Sequence, residues 1–302
     1  MYKRRTDLAM EAHELWKESA GETTRLEGVE ARDTTREGFQ VTTVKVLSEA
    51  GAAALDKPVG TYVTLVLDGL LRREDDAFPR AARALAEELR ALLPAAPGAE
   101  VLVVGLGNRA ITPDAVGPLA ADHTLVTRHL VDRVPEHFGA FRPVSAIAAG
   151  VLASTGMESG ELVAALVEKT RPACVIAIDA LASRSLRRVC RTVQLADTGI
   201  VPGSGVGNAR MGLNRESLGV PVVAVGVPTV VDAATLCADV LSEAGMAELD
   251  PAALAGAGEG VIVTPREIDS QVADLAKVLG FGITLALQEG LSPEEAQALL
   301  GW

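Results

Sequence analysis

The sequence predicts an α/β protein with a central twisted, mostly parallel or mixed sheet flanked by helices, and an additional smaller β-containing part at the N-terminus. Three short apolar runs carry this prediction, at 101–108, 173–181 and 220–228, and each is followed by turn residues. Their apolar residues are continuous rather than alternating, which is typical of strands buried on both faces of a sheet that helices cover.

The first third of the chain is more varied. Residues 7–20 place apolar side chains on one side and acids on the other, which predicts a helix. Residues 39–47 and 61–67 are rich in β-branched side chains and partly alternate, which predicts strands of a mixed or antiparallel sheet. Residues 79–93 form a second predicted helix, with a proline in its first turn and another directly after it.

The later elements suggest how the chain is organised. Helical patterns follow at 231–244 and 266–289, and the stretch 95–100 is the most linker-like segment. We therefore expect an α/β core at 96–302, with residues 8–95 packed on it as a subdomain or wrapped around its sheet.

Composition limits the kinds of partner. Hydrophobic residues make up 48% of 302 positions, enough for a substantial core. The 28 basic and 40 acidic side chains leave a net charge of −12, which argues against a nucleic-acid partner. Three scattered cysteines predict reduced thiols in a cytoplasmic compartment. No apolar run reaches 18 residues and no secretory signal is visible, so no membrane association is expected.

Ligands of parallel sheets collect beyond the carboxyl ends of the strands. Asp179 ends one apolar run, and Asp114 follows another after a Thr-Pro pair that predicts a helix start with Thr112 as N-cap. If the two strands are neighbours, the two carboxylates converge. Such a pair can share one proton and act as acid and base around a water molecule, or it can hold a divalent metal.

Other residues in the same segments are expected to shape this site. They are Asn108, Thr112, Ser183, Arg184, Asp197, Gly203, Ser204 and Gly205. Ser204 is also a conceivable nucleophile, although no base is implied near it, and its glycine-rich loop suits a role through backbone N–H groups better.

A nucleotide site is the alternative prediction from residues 105–110. Gly105-x-Gly107-x-x-Ala110 fits the looser dinucleotide pattern, but residues 125–131, about 20 positions further on, offer no acid to bind a ribose. The four histidines do not have the spacing of metal ligands.

Seven long motifs resemble the spore germination protease family, over nearly the whole chain. They lie at 5–15, 58–65, 103–118, 141–159, 175–185, 197–208 and 220–233. The chain is more distantly similar to hydrogenase maturation proteases, which share an α/β fold.

The resemblance implies an endopeptidase that degrades small acid-soluble spore proteins in the spore core during germination, assembled as a homotetramer. It implies Asp114 and Asp179 as the catalytic pair. The distant relatives complete a metal site with a histidine that has no clear equivalent here. An aspartic-type mechanism without metal or other cofactor is therefore expected, and a metal-dependent maturation-type peptidase is the alternative.

The family is made as a zymogen that cleaves itself. Its substrates are cut between an acidic residue and a large apolar one, which is followed by Ala, a variable residue and Glu. Residues 7–11 read Asp-Leu-Ala-Met-Glu. The resemblance thus implies processing between Asp7 and Leu8, which gives a propeptide of 1–7 and a protease domain of 8–302. This predicted leader is shorter than the resemblance leads us to expect.

Overall fold

The computed structural model describes residues 6–19, 26–94, 96, 98–203, 211–245 and 260–301. Within them the strands are β1 Val29–Arg36, β2 Phe39–Val46, β3 Gly60–Val66, β4 Val101–Leu106, β5 Val144–Gly150, β6 Cys174–Ser183, β7 Thr192–Ala196, β8 Val222–Asp232 and β9 Ile262–Val263. The helices are α1 Ala9–Ser19, α2 Glu49–Leu55, α3 Asp68–Leu71, α4 Ala77–Leu92, α5 Val116–Asp122, α6 Arg128–Arg133, α7 Pro135–Phe138, α8 Leu152–Thr155, α9 Ser159–Thr170, α10 Arg215–Leu218, α11 Ala233–Glu243, α12 Ile268–Leu287 and α13 Pro293–Leu300.

All of these strands belong to one mixed sheet. Its order is β1-β2-β3-β7-β8-β6-β4-β5, with β9 paired to β8. The pairs β4/β5, β4/β6 and β6/β8 are parallel, and the remaining pairs are antiparallel. The predicted α/β class, with a mixed sheet flanked by helices, is confirmed.

Two layers of core cover the two faces of the sheet, because successive side chains of a strand point to opposite faces. Ile176 and Ile178 of β6 pack with the residues of α4, α5 and α12 on one face. Val175 and Ala177 pack with α9 on the other face. On that second face, under β1–β3, a smaller cluster joins Ala9 of α1 to the sheet. The N-terminal helix therefore lies on the face opposite α12.

Helix α12 is, among the described residues, the one helix long and apolar enough to cross a membrane. In this structure 72% of its most apolar 18-residue stretch is buried, and the helix packs against α4 and α5. It has the properties of a core helix, and the expectation of no membrane partner stays a prediction.

The sequence located the strongly apolar strands and the long helices, and it missed four strands of the described residues. β1, β5, β7 and the two-residue β9 were not predicted. The first strands are continuous with the core sheet, because β3 pairs with β7 and β7 with β8. The division into residues 1–7, 8–95 and 96–302 stays a prediction.

Candidate active site

The first carboxylate, Asp179, lies inside β6 at the point where a neighbouring strand stops. Pairing of β4 with β6 ends at Gly105 opposite Ile178, whereas β6 runs on beside β8 to Ser183. The Asp179 side chain is 5% exposed, and its Oδ1 accepts a hydrogen bond of 2.9 Å from the N–H of Ala180. The opening that the sequence placed at a strand end thus arises because β4 is shorter than β6.

The second carboxylate, Asp114, ends a 3₁₀ turn, Thr112–Asp114. Its Oδ2 accepts 2.7 Å from the N–H of Asn108, and its own N–H donates to the carbonyl of Ile111 at 2.8 Å. Gly107 has φ +110°, and a Cβ added there would lie 2.1 Å from the carbonyl oxygen of Asp114. Glycine therefore lets the loop after β4 close on the turn.

The prediction that Thr112 caps a helix was wrong. The residue flanking the turn is Ile111, in extended conformation, and no side chain caps it. Helix α5 begins only at Val116, so Asp114 precedes this helix instead of lying in its first turn. Hydrogen bonds within the loop hold this carboxylate in place.

The structure brings Asp114 and Asp179 to one cavity of about 230 Å³. Its wall is largely apolar, with Leu106, Pro113 and Val151 among the lining residues. Apolar walls keep water scarce, and hydrogen bonds and charges act more strongly in such a site. The convergence of the two acids that the sequence predicted is present.

A third acid, Asp7, lines the same cavity. Its N–H donates to the carbonyl of Ala182 at 3.0 Å, and the N–H of Ala182 donates to its Oδ2 at 2.8 Å. The carboxylate thus takes the place of the backbone acceptor in a strand-like pair with β6. The residue that precedes the predicted cleavage position therefore lines the same cavity as both predicted catalytic residues.

The residues after Asp7 are firmly buried. Leu8 has no exposed surface and packs with Met10 against Leu181 of β6. Glu11 is also fully buried, and its carboxylate accepts hydrogen bonds from Ser183 Oγ at 2.9 Å and from the N–H of Arg184 at 2.7 Å.

An arginine completes the environment of Glu11. Arg188 pairs with Glu11 at 3.0 Å and with Glu14 at 2.7 Å. Burial by itself would lower the pKa of Arg188, but the hydrogen bonds and charges of the two glutamates outweigh it and raise that pKa. The first turn of α1 is thereby held to the segment that follows β6.

The other predicted site residues divide into four groups. Asn108 supports Asp114, and Gly203 lines the cavity. Ser183 and Arg184 contact Glu11, as described above, and do not line the cavity. Asp197 is exposed, and its Oδ1 accepts from the N–H of Thr61 at 2.7 Å, which places it at the β3/β7 pair. Ser204 and Gly205 lie outside the described residues.

Two functional candidates escaped the sequence reading. Gln194 of β7 is 8% exposed and forms hydrogen bonds to the backbone on both sides of the Asp7–Leu8 bond. Thr229 lines the cavity fully buried, at a bulge of β8 opposite Leu181, and its hydroxyl has no hydrogen-bond partner within the described ranges. A polar residue inside the apolar run of β8 is the signal that could have found Thr229. No such signal pointed to Gln194, because β7 itself was not predicted.

Among the residues that the structure describes, no group of three or more His, Cys, Asp or Glu side chains is arranged to hold a metal ion.

A family model described as "Germination protease" (Peptidase_A25) matches residues 9–247. The chain belongs to the germination protease family. It is 44% identical to the germination protease of Caldanaerobacter subterraneus subsp. tengcongensis, with 98% of each chain covered. It is 40% identical to that of Clostridium perfringens strain SM101, over 99% of this chain and all of the relative. It is 36% identical to that of Halalkalibacterium halodurans, over 98% and 97% of the two chains.

A solved structure of a [NiFe] hydrogenase maturation protease, HycI from Thermococcus kodakarensis KOD1, is also similar. Its TM-score is 0.36 at 16% identity, over 65% of this chain and 98% of that one. Membership of the germination protease family makes this chain a peptidase that acts in spore germination.

Proposed function

We propose that this germination protease is an aspartic-type endopeptidase whose Asp114 and Asp179 activate water without a metal. We further propose that it degrades small acid-soluble spore proteins in the spore core, assembles as a homotetramer, and is made as a zymogen that cleaves itself between Asp7 and Leu8. The observation that carries the proposal is that all three acids line one cavity.

Two neighbouring carboxylates suit this chemistry because they repel each other as anions, so that one of them retains a proton. In the proposed reaction, the ionised carboxylate takes a proton from water as the oxygen attacks the peptide carbonyl carbon. The protonated partner donates to the carbonyl oxygen, and a proton then passes to the leaving amine nitrogen as the C–N bond breaks.

The position of residues 7–11 supports self-processing. Asp7 pairs with Ala182 of β6 and lines the cavity that also contains Asp114 and Asp179. The peptide bond after Asp7 therefore starts from a residue of this cavity. Leu8 is held in an apolar pocket and Glu11 by Ser183 and backbone N–H groups. These contacts match the acidic, apolar and Glu positions of the cleavage pattern.

Substitution of either catalytic carboxylate is the decisive test. Asp114→Asn and Asp179→Asn should each slow self-cleavage and the cleavage of a purified small acid-soluble spore protein by at least about 10³-fold, since the neutral amide cannot accept the water proton. Product masses with and without EDTA are the measurement. The wild-type chain should yield a product that begins at Leu8, equally in both conditions.

Asp132→Asn is the matched control, because Asp132 is an exposed aspartate of α6 that does not line the cavity. It should process at the wild-type rate. An Asn variant at 114 or 179 with near-normal turnover would remove that residue from the chemistry. Activity lost in EDTA and restored by a divalent ion would select the metal-dependent alternative. Light scattering that gives a mass other than four chains would refute the tetramer.

A further inference from the structure

The side chain of Gln194 forms hydrogen bonds with the backbone on both sides of the bond that we propose to be cleaved. Its Nε2 donates to the carbonyl oxygen of Asp7 at 3.1 Å, and its Oε1 accepts from the N–H of Ala9 at 2.7 Å. The carbonyl oxygen of Asp7 is the oxygen of the Asp7–Leu8 peptide group itself. The amide of one side chain therefore contacts residues on both sides of that bond.

The sheet register places Gln194 on the same face of the sheet as Asp179, two strands away. Gln194 of β7 is opposite Gly226 of β8, and Gly226 is opposite Asp179 of β6. Residues opposite one another in a sheet point to the same face, so Gln194 and Asp179 share a face two strand spacings apart, roughly 10 Å between Cα atoms.

The position between them carries no side chain of its own. A Cβ built on Gly226 would lie 2.3 Å from Cδ1 of Leu181, so the leucine occupies the space above this glycine. Leu181 in turn contacts Leu8. The N-terminal segment thus rests on Leu181, with Asp179 on one side and Gln194 on the other.

We infer that Gln194 is a catalytic residue of the proposed reaction, which donates a hydrogen bond to the scissile carbonyl oxygen as negative charge develops there. This inference rests on the function proposed above. When water adds to the Asp7 carbonyl carbon, the carbonyl electron pair moves to the oxygen that Gln194 Nε2 already contacts. A buried, fixed N–H donor stabilises such an oxyanion, and removing one commonly slows turnover by about 10²–10³-fold.

The competing role is purely structural. Ala9 is the first residue of α1, and its N–H has no acceptor within the helix, so Gln194 Oε1 acts as a cap for this helix. The two roles use different atoms of one amide. A glutamate at 194 keeps an acceptor for the Ala9 N–H and loses the Nε2 donor, which separates the roles.

The test is the first-order rate of self-cleavage at the 7–8 bond in the full chain, followed by mass spectrometry. Gln194→Glu should process about 10²-fold more slowly at neutral pH, and Gln194→Met, which keeps the length without either polar atom, at least as slowly. Gln40→Glu, on the exposed side of β2, is the matched control and should process normally.

The pH dependence identifies the donor. A glutamate buried at this position has a raised pKa and, once protonated, carries an O–H that can donate to the carbonyl. The rate of Gln194→Glu relative to wild type should therefore rise as the pH is lowered, whereas the relative rate of Gln194→Met should stay flat. A structural cap alone predicts no such difference.

Self-cleavage of Gln194→Glu within threefold of wild type at neutral pH would overturn the inference. If that variant fails to fold, a normal rate in Gln194→Met overturns it equally. Failure of the proposed function has a different signature: Asp179→Asn would then process, or the wild-type chain would stay intact. Loss in Asp179→Asn with normal rates in both Gln194 variants refutes the inference alone.

Discussion

The two carboxylates of the cavity are held by very different means. Asp179 belongs to β6, a strand of ten residues paired with β8 along most of its length. Asp114 ends a three-residue turn and depends on the N–H of Asn108 and on the close approach of Gly107. One acid is positioned by the sheet and the other by a loop.

This difference indicates where the site is vulnerable. A residue inside a paired strand cannot shift without disturbing several backbone hydrogen bonds, whereas a short turn can move when one contact is lost. Substitutions near Asp114 should therefore change the rate of self-cleavage more than the free energy of unfolding. In those variants β6 should stay paired with its neighbouring strands.

Among substitutions in the loop that holds Asp114, the largest effect is expected for Gly107→Ala. Its φ of +110° disfavours alanine, and the new Cβ would lie 2.1 Å from the backbone of Asp114, so the turn must shift. We expect self-cleavage to slow by about 10²-fold or more, because small displacements of catalytic groups are costly. Strain should also lower the free energy of unfolding by about 1–3 kcal/mol.

Gly98→Ala is the matched control for backbone strain. Gly98 also has positive φ, at +70°, but a Cβ there meets nothing within 4 Å. It should lose stability without losing activity. Equal rates in the two variants would contradict the view that the turn positions Asp114.

Asn108→Ala should have an intermediate effect. The Asn108 side chain accepts from the N–H of Ala110 at 3.0 Å and so fixes the loop whose backbone N–H holds Asp114. Loss of one such hydrogen bond lowers the free energy of unfolding by about 1 kcal/mol, and we expect roughly tenfold slower self-cleavage.

Ser48→Ala provides the comparison for Asn108→Ala. Ser48 makes a similar bond, from the N–H of Gly51 at 3.2 Å, at the start of α2. It should lower the melting temperature by a similar amount and leave the cleavage rate unchanged. A rate loss of the same size in Ser48→Ala would mean that activity follows global stability instead of the turn.

The smallest expected effect is that of Gly107→Ala on the start of β6, where Cys174 lies. Burial raises the pKa of both Cys174 and Cys190 to about 12, whereas Cys237 is exposed. At pH 8 the two buried thiols are protonated and should react with a thiol reagent only after unfolding. The folded chain should therefore react at one thiol, and Gly107→Ala should behave the same way. Reaction of Cys174 in folded Gly107→Ala would show that the change reaches the strand.

The sequence was informative where burial is uniform. The cores of β4, β6 and β8 are continuous apolar runs, and the runs at 101–108, 173–181 and 220–228 predicted them. The strand β1 was missed because Val29–Arg36 carries mostly charged and polar side chains, which an exposed strand tolerates and a periodicity pattern does not detect.

The sequence predicted which two acids form the site, but it did not predict the turn and the strand order that position them. Asp114 and Asp179 follow or end apolar runs, and this sufficed to expect them together. The 3₁₀ turn was misread because Thr-Pro-Asp also fits a helix start, and the sequence cannot tell which turn forms. Gln194 was missed because its role depends on the order β7-β8-β6, which joins strands that are not consecutive in the chain.

The complete enclosure of Leu8 affects what hydrolysis would leave behind. Its nitrogen now donates to Thr6 Oγ1 at 3.0 Å, and Thr6 also contacts Glu11. Scission after Asp7 would turn that nitrogen into an ammonium and detach Thr6 from its neighbours. An isolated ammonium is unfavourable in a dry interior by several kcal/mol, so the new terminus must pair with a carboxylate or emerge into solvent. Emergence would lift Leu8 off Leu181 of β6 and uncover that part of the sheet face.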